Sequence, residues 1–231
     1  MTAEAARVPD AHLVLPPGER VKVNEIFYSL QGESTFAGRP CVLVRLTGCQ
    51  MRCVWCDSEY AFHEGAWRSL DEVLAEVEGY GCPLVELTGG EPLLQPGARP
   101  LLRRLCDAGY EVLLETGGGL SIADVDPRVR RIVDVKCPGS GEAEHNRWAN
   151  LDLLTERDEL KFVIAGRADY EWARAVIRAR ALGGRRAIHL SPVWGAVEPA
   201  DLAAWILADR LPARLQLQVH KLLWGAKTRG V

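Results

Sequence analysis

Between Val21 and Val219 short β-rich runs alternate with segments of helical periodicity, and this alternation constrains the fold more than any other feature. Residues 21–30 mix apolar and polar side chains as a strand does, and residues 41–46 are a second β-rich run. Ser69 followed by Glu72 is a capping-box pattern. It opens a helix with Leu70, Val73, Leu74 and Val77 on one side and Gly81 at its end. Further strands are expected over 84–87, 111–115, 131–136, 160–164, 187–190 and 215–219. Helices fall between them, marked by Leu101, Leu102, Leu105 and Ala108, by residues 168–182, and by Leu202, Trp205 and Ile206. Residues 57–67 read as an irregular connection.

Such alternation builds parallel βαβ units. No glycine-rich dinucleotide fingerprint opens the first helix, and polar residues collect at strand ends. That pattern suits a barrel whose site lies at the C-terminal ends of its strands. A length of 231 residues holds about six such units in one domain. The expectation is an α/β fold, an incomplete (βα)6-type parallel barrel open on one side. It would span residues 21–231 behind a flexible arm at 1–20.

Net charge is −3, which argues against a general nucleic-acid binder or a polybasic membrane surface. No apolar run is long enough to span a bilayer, and Glu4, Arg7, Asp10 and Pro16-Pro17 interrupt any secretory h-region. Cys41, Cys82, Cys106 and Cys137 lie in or beside apolar segments, so free thiols in a reducing, cytoplasmic setting are expected rather than a disulfide framework.

The remaining cysteines, Cys49, Cys53 and Cys56, form a C-x3-C-x2-C loop directly after the 41–46 run. Structural zinc and closed four-iron clusters take four protein ligands. Three thiolates suit a cubane with one iron open to a small molecule. The bland alternatives are three core cysteines or a zinc loop borrowing a distant ligand, and Cys137 is a candidate fourth ligand. The spacing, with Trp55 just before the third cysteine, resembles the signature of the radical S-adenosylmethionine (SAM) superfamily, in which SAM chelates the open iron of a 4Fe-4S cluster. Gly89-Gly90-Glu91, after a strand, resembles that superfamily's Gly-Gly-Glu motif. Its glycines permit close backbone approach, and its carbonyls or Glu91 can accept from the SAM ammonium; a plain turn is the other reading. Trp55 can stack on adenine or pack under the loop.

The resemblance narrows when eight strings are read in order. They are residues 30–33 (LQGE), 44–46 (VRL), 56–58 (CDS), 88–92 (TGGEP), 114–116 (LET), 135–140 (VKCPGS), 160–163 (LKFV) and 218–221 (QVHK). Together they resemble the 7-carboxy-7-deazaguanine synthase family from residue 30 to the C-terminus. The resemblance implies a lyase of queuosine and 7-deazapurine biosynthesis, acting on 6-carboxy-5,6,7,8-tetrahydropterin. A 5'-deoxyadenosyl radical takes hydrogen from the carbon bearing the carboxylate, the ring contracts, ammonia leaves, and SAM is regenerated. It also implies SAM contacts at Trp55, Cys56, Asp57, Gly89, Gly90, Glu91, Asp134, Val135 and Lys136. Substrate contacts are implied at Leu30, Gln31, Gly32, Glu33, Arg45, Thr88, Glu115 and His220.

These residue types suit a pterin. Gln31 offers a donor and an acceptor, Glu33 and Glu115 accept from ring N–H groups, and Arg45 grips a carboxylate with two hydrogen bonds. Each also has a plain structural reading: a turn for Gln31 and Glu33, an Arg45–Asp57 pair, a loop cap for Glu115. Ser58 stands where the family commonly has a magnesium-ligating threonine. It keeps the hydroxyl and needs substrate oxygens and water to complete an Mg2+ octahedron; a turn cap is its alternative. The C-terminal tail either folds over the barrel's open end or frays. Implied partners are the pterin, a one-electron donor such as a flavodoxin, and, from the open architecture, a second copy in a homodimer. The rival readings are a glycyl-radical activase and a non-catalytic zinc or iron-sulfur module.

Overall fold

The computed structural model describes residues 15–184 and 186–231, so the arm expected at 1–20 lies largely outside them. Within the described residues, nine strands form one sheet. In chain order they are β1 (Arg20–Leu30), β2 (Pro40–Leu46), β3 (Ala66–Ser69), β4 (Leu84–Gly89), β5 (Glu111–Thr116), β6 (Arg130–Asp134), β7 (Glu159–Ile164), β8 (Ala187–Pro192) and β9 (Arg214–Leu215). The order across the sheet is β3-β1-β2-β4-β5-β6-β7-β8-β9, with β1 antiparallel to both β2 and β3 and every later pairing parallel. Strands β2 and β4 to β8 are the six of the expected barrel. The antiparallel β3-β1 edge is an addition that the sequence reading treated as a lone strand and an irregular connection.

The connections are α1 (Leu70–Gly79), α2 (Ala98–Asp107), the single turn α3 (Asn150–Leu153), α4 (Arg167–Ala179), α5 (Pro199–Ala208) and the terminal α6 (Val219–Trp224). The Ser69 capping box is present. Ser69 Oγ accepts from the Glu72 backbone N–H at 3.2 Å while the Glu72 carboxylate accepts from Ser69 N–H at 2.8 Å. Such a cap stabilises a helix start by about 1 kcal/mol. Val73 and Val77 of α1, Leu101, Leu102 and Leu105 of α2, Ala173 and Ile177 of α4, and Leu202 of α5 bury against one core. The outward strand residues Val42, Val44, Leu87, Leu114, Leu160, Phe162 and Leu190 complete it.

Alternation then turns the other strand residues inward, where polar side chains stand among Leu43, Leu113, Ile132 and Val163. Arg45 stands beside Thr88, and Asp134, Lys161 and His189 stand side by side on three neighbouring strands. The sheet curls until its two sides nearly meet. The loop after β1 reaches β7, where Thr35 N–H donates to Glu159 at 3.0 Å, and also reaches the chain after β9, where Val219 N–H donates to Gly32 O at 2.9 Å. The open side of the barrel is thus filled by residues 31–39 and α6. The last expected strand, 215–219, is corrected here. Gln216 N–H still bonds Leu190 O at 2.9 Å, but the chain then leaves the sheet and Val219–Trp224 is helical.

Candidate active site

The cysteine loop leaves β2 at Leu46 and is tied down on several sides. Gly48 N–H donates to Ala61 O at 2.8 Å, Val54 N–H to Ser140 O at 3.1 Å, and Arg52 N–H to the Glu142 carboxylate at 2.7 Å. Met51 is buried beneath the loop. Cys49, Cys53 and Cys56 are each partly exposed, and desolvation pushes each free thiol upward. The nearby Lys136 ammonium pulls the other way at Cys49 and Cys53. Among the described residues no three His, Cys, Asp or Glu side chains are gathered round a single-ion position. A cubane instead takes each thiolate on a separate iron. Three accessible thiols on one pinned loop, with an ammonium beside them to offset thiolate charge, fit such a cluster. Cys137 is buried with its thiol toward Val135 O, in the segment after β6 rather than in this loop.

Gly90 is packed onto the loop. A Cβ there would lie 2.3 Å from Gly48 O and 2.8 Å from Cys49 Cβ, both unable to yield without moving the loop. Gly90 N–H reaches Leu46 O at 3.2 Å and Glu91 N–H reaches Gly48 O at 2.8 Å. Glu91 itself is buried, and its carboxylate accepts from Leu93 N–H at 3.0 Å, Thr116 Oγ1 at 2.8 Å and Gly117 N–H at 2.9 Å. Its side chain therefore braces the ends of β4 and β5.

Asp134 and Lys136 pair at 2.6 Å, with Val135 buried between them. Asn146 fixes this segment by accepting from Lys136 N–H at 2.8 Å and donating to Lys136 O at 2.8 Å. Asp169, at the start of α4, accepts from Gly139 N–H at 2.8 Å. Trp55 is half-buried in the loop.

Deeper on the inner face lies a net of charges. Lys161 Nζ contacts Glu33 at 2.9 Å, Asp134 at 3.4 Å, and Glu115. Burial opposes ionisation of Glu33 and Asp134. The lysines beside them win, and both carboxyls sit below their usual range. At Glu115 burial wins and its carboxyl is raised. Thr88 Oγ1 donates to Glu115 at 3.1 Å. Gln31 Nε2 donates to Glu86 at 2.6 Å, and Gln31 Oε1 accepts from Glu33 N–H. Arg45 pairs with Glu25 at 2.8 Å rather than with Asp57, and Tyr60 donates to the same carboxylate at 2.9 Å. Below the net, Glu159 pairs with His189 at 2.6 Å.

The terminal helix closes the constellation. Gln218 donates to Glu33 at 2.8 Å and Lys221 to Asp57 at 2.6 Å. Partial desolvation resists Asp57 ionisation, although the side chain stays 46% exposed, and Lys221 holds its carboxyl down to about 2. His220 sits on this helix, not at a strand end, with its ring directly against Gly32, and desolvation lowers its pKa. Ser58 Oγ donates to Asp57 at 3.2 Å. Leu30 ends β1 opposite Pro40, beside the C-terminal residues Trp224 and Val231.

The structure thus gathers Gln31, Gly32, Glu33, Thr88, Glu115 and His220, while Arg45 stands one strand away with Glu25. Glu25, Glu86, Lys161 and Lys221 were given no role by sequence reasoning. A signal existed for two of them: Glu86 and Lys161 are charged residues inside apolar strand runs, at the same parity as Thr88 and next to Leu160 and Phe162.

Residues 43–203 match the radical SAM superfamily model. The chain is 50% identical over 214 residues to a 7-carboxy-7-deazaguanine synthase of Chlorobaculum tepidum, covering 91% of this chain and 97% of that one. It is 48% identical to a protein of the same name from Koribacter versatilis, covering 91% and 100%. The crystal structure of QueE from Escherichia coli superposes with a TM-score of 0.73 at 25% identity, over 92% of this chain and all of that one. An open parallel barrel with a three-cysteine loop at the end of its first parallel strand defines a radical SAM protein, with a 4Fe-4S cluster and SAM as its cofactors. Within that superfamily the chain belongs to the 7-carboxy-7-deazaguanine synthase family.

Proposed function

We propose that the protein converts 6-carboxy-5,6,7,8-tetrahydropterin to 7-carboxy-7-deazaguanine, a lyase step of queuosine and 7-deazapurine biosynthesis. The observation that carries this reading is the meeting of Glu33, Glu115, Thr88 and Lys161 on the inner face of a barrel that bears the cluster loop at its rim. When bound, the cluster and SAM supply radical hydrogen abstraction. The protein's own groups bind, orient and exclude water.

Cys49, Cys53 and Cys56 hold the cluster. Trp55, Cys56, Asp57, Gly89, Gly90, Glu91 and residues 134–136 form the SAM side, with Glu91 contributing through the brace it makes and Lys136 as a cation for a carboxylate. Glu33 and Glu115 accept from heterocycle N–H groups. Arg45, turned on Glu25, and neutral His220 address the substrate's carboxylate end, while Leu30 and Gly32 shape the wall. Ser58, whose hydroxyl lies beside the Asp57 carboxylate, would be the protein's oxygen ligand to an Mg2+ ion, which would need substrate oxygens and water as well.

All seven cysteines are free, which supports a reducing, cytoplasmic setting, and among the described residues no helix is long and apolar enough to cross a membrane. A flavodoxin-type donor and a homodimer complete the reading.

The test is anaerobic reconstitution with iron and sulfide, then incubation with dithionite, SAM, Mg2+ and the carboxytetrahydropterin, read by mass spectrometry. Formation of the deazaguanine with little net loss of SAM is expected. Cleavage of SAM while the pterin survives would refute the substrate assignment.

A further inference from the structure

We propose that Glu86 is a positioning residue for substrate recognition: by engaging the Gln31 amide it fixes which groups of the Gln31–Glu33 turn remain for the heterocycle. Glu86 lies on the inner face of β4, two residues before Thr88, and is 2% exposed. Its carboxyl takes the Gln31 Nε2 donor at 2.6 Å. With that nitrogen committed, Gln31 Oε1 turns back to the Glu33 backbone N–H. The turn is thereby closed upon itself, and the Glu33 carboxylate is directed at Lys161 and Gln218, at 2.9 and 2.8 Å. Gln31 itself then serves as the brace of the turn, and Glu33 is the group left to meet a ligand. The proposal rests on the reading of these residues as substrate contacts.

The charge state of Glu86 matters because of what surrounds it. Glu115 on β5, Glu33 and Gln31 in the loop, Lys161 on β7 and the Cys41 thiol on β2 all face it. Desolvation first, then the Glu115 and Glu33 charges, push its carboxyl up to about 8, against the Gln31 hydrogen bond and Lys161. A neutral acid holds Gln31 without placing another negative charge where a carboxylate-bearing substrate must enter. Ionisation adds that charge, so affinity should fall as pH rises past about 8.

The experiment measures KM and kcat of the reconstituted holoenzyme across neutral to alkaline pH for wild type, Glu86→Gln, Glu86→Leu, Gln31→Ala and Glu33→Gln. Glu86→Gln keeps an acceptor for Gln31 and cannot ionise. It should keep the neutral-pH KM within about twofold and lose the alkaline rise. Glu86→Leu strands the Gln31 donor and should raise KM about tenfold, with kcat changed far less. An unchanged KM in Glu86→Leu, or the same alkaline rise in Glu86→Gln as in wild type, overturns the proposal. If Glu86→Leu does not fold, the Glu86→Gln profile decides alone. An unaltered KM in Gln31→Ala, the other half of the brace, likewise overturns the proposal, whereas an unaltered KM in the Glu33→Gln variant would instead overturn the underlying substrate-contact reading.

Discussion

Lys161→Met removes the ammonium shared by Glu33, Glu115 and Asp134 while keeping a side chain of similar length and an apolar stem. Deleting one partner of a buried ion pair costs about 3–5 kcal/mol, because the remaining charges are left without compensation. Here the carboxylates can respond: Glu33 and Glu115 retain 14% and 23% side-chain exposure and can take up protons, which brings the cost to about 3 kcal/mol. For a chain of this size that is a fall in Tm of about 6–12 °C.

The pH dependence has a definite sign. Glu33 and Asp134 titrate below their unfolded values, so their stabilisation is complete above the ordinary carboxylate range and is lost as pH falls through the lowered values. Without Lys161 those values rise. The gap between variant and wild type should therefore be widest near pH 8 and narrow as the carboxylates protonate toward about pH 4. Thermal melts of reconstituted protein followed by circular dichroism give both quantities. A fall of less than about 2 °C at the alkaline end, or a gap that does not change with pH, would refute the account of Lys161 as the organising charge.

Alanine at Cys49, Cys53 or Cys56 should each abolish the cluster's visible absorbance after reconstitution, whereas Cys137→Ala should retain it. Gly90→Ala forces Gly48 and Cys49 away from β4; a displacement approaching 1 Å at a reacting centre should lower kcat about 100-fold, with the fold intact by circular dichroism. Lys221→Met releases α6 from Asp57. Because the Asp57 side chain is 46% exposed the stability change should stay below about 1 kcal/mol, and the effect should appear as faster amide exchange over 219–224. Glu86 carries a proton in the folded state up to about 8 that the unfolded chain releases above 4.5, so it makes stability decline as pH rises between those values. Glu86→Gln should flatten that decline in urea titrations; an unchanged slope would show that Glu86 does not hold the proton.

Much was legible where the governing interactions are local. The Ser69–Glu72 cap involves residues three apart, the strand runs and glycine stops are read within a few residues, and the cysteine spacing lies on one loop. Those patterns were enough for the parallel βαβ alternation and the cysteine loop, while the order across the sheet came from the fold. The same local logic misread 215–219, where an alternating LQLQV pattern favours a strand but the hydrogen bond from Val219 to Gly32 starts a helix instead. It also missed the antiparallel β3-β1 edge.

The charge net was set by the tertiary structure. Lys161 meets Glu33 across 128 residues and Glu115 across 46, and Gln31 meets Glu86 across 55. Sequence supplies the residue types and, through the two-residue period of a strand, the face each one occupies. Only the curl of the sheet brings the loop after β1 against β7 and α6. Burial in that closed space then decides which carboxyls keep a charge and which keep a proton, because desolvation and distance to neighbouring charges are properties of the folded arrangement.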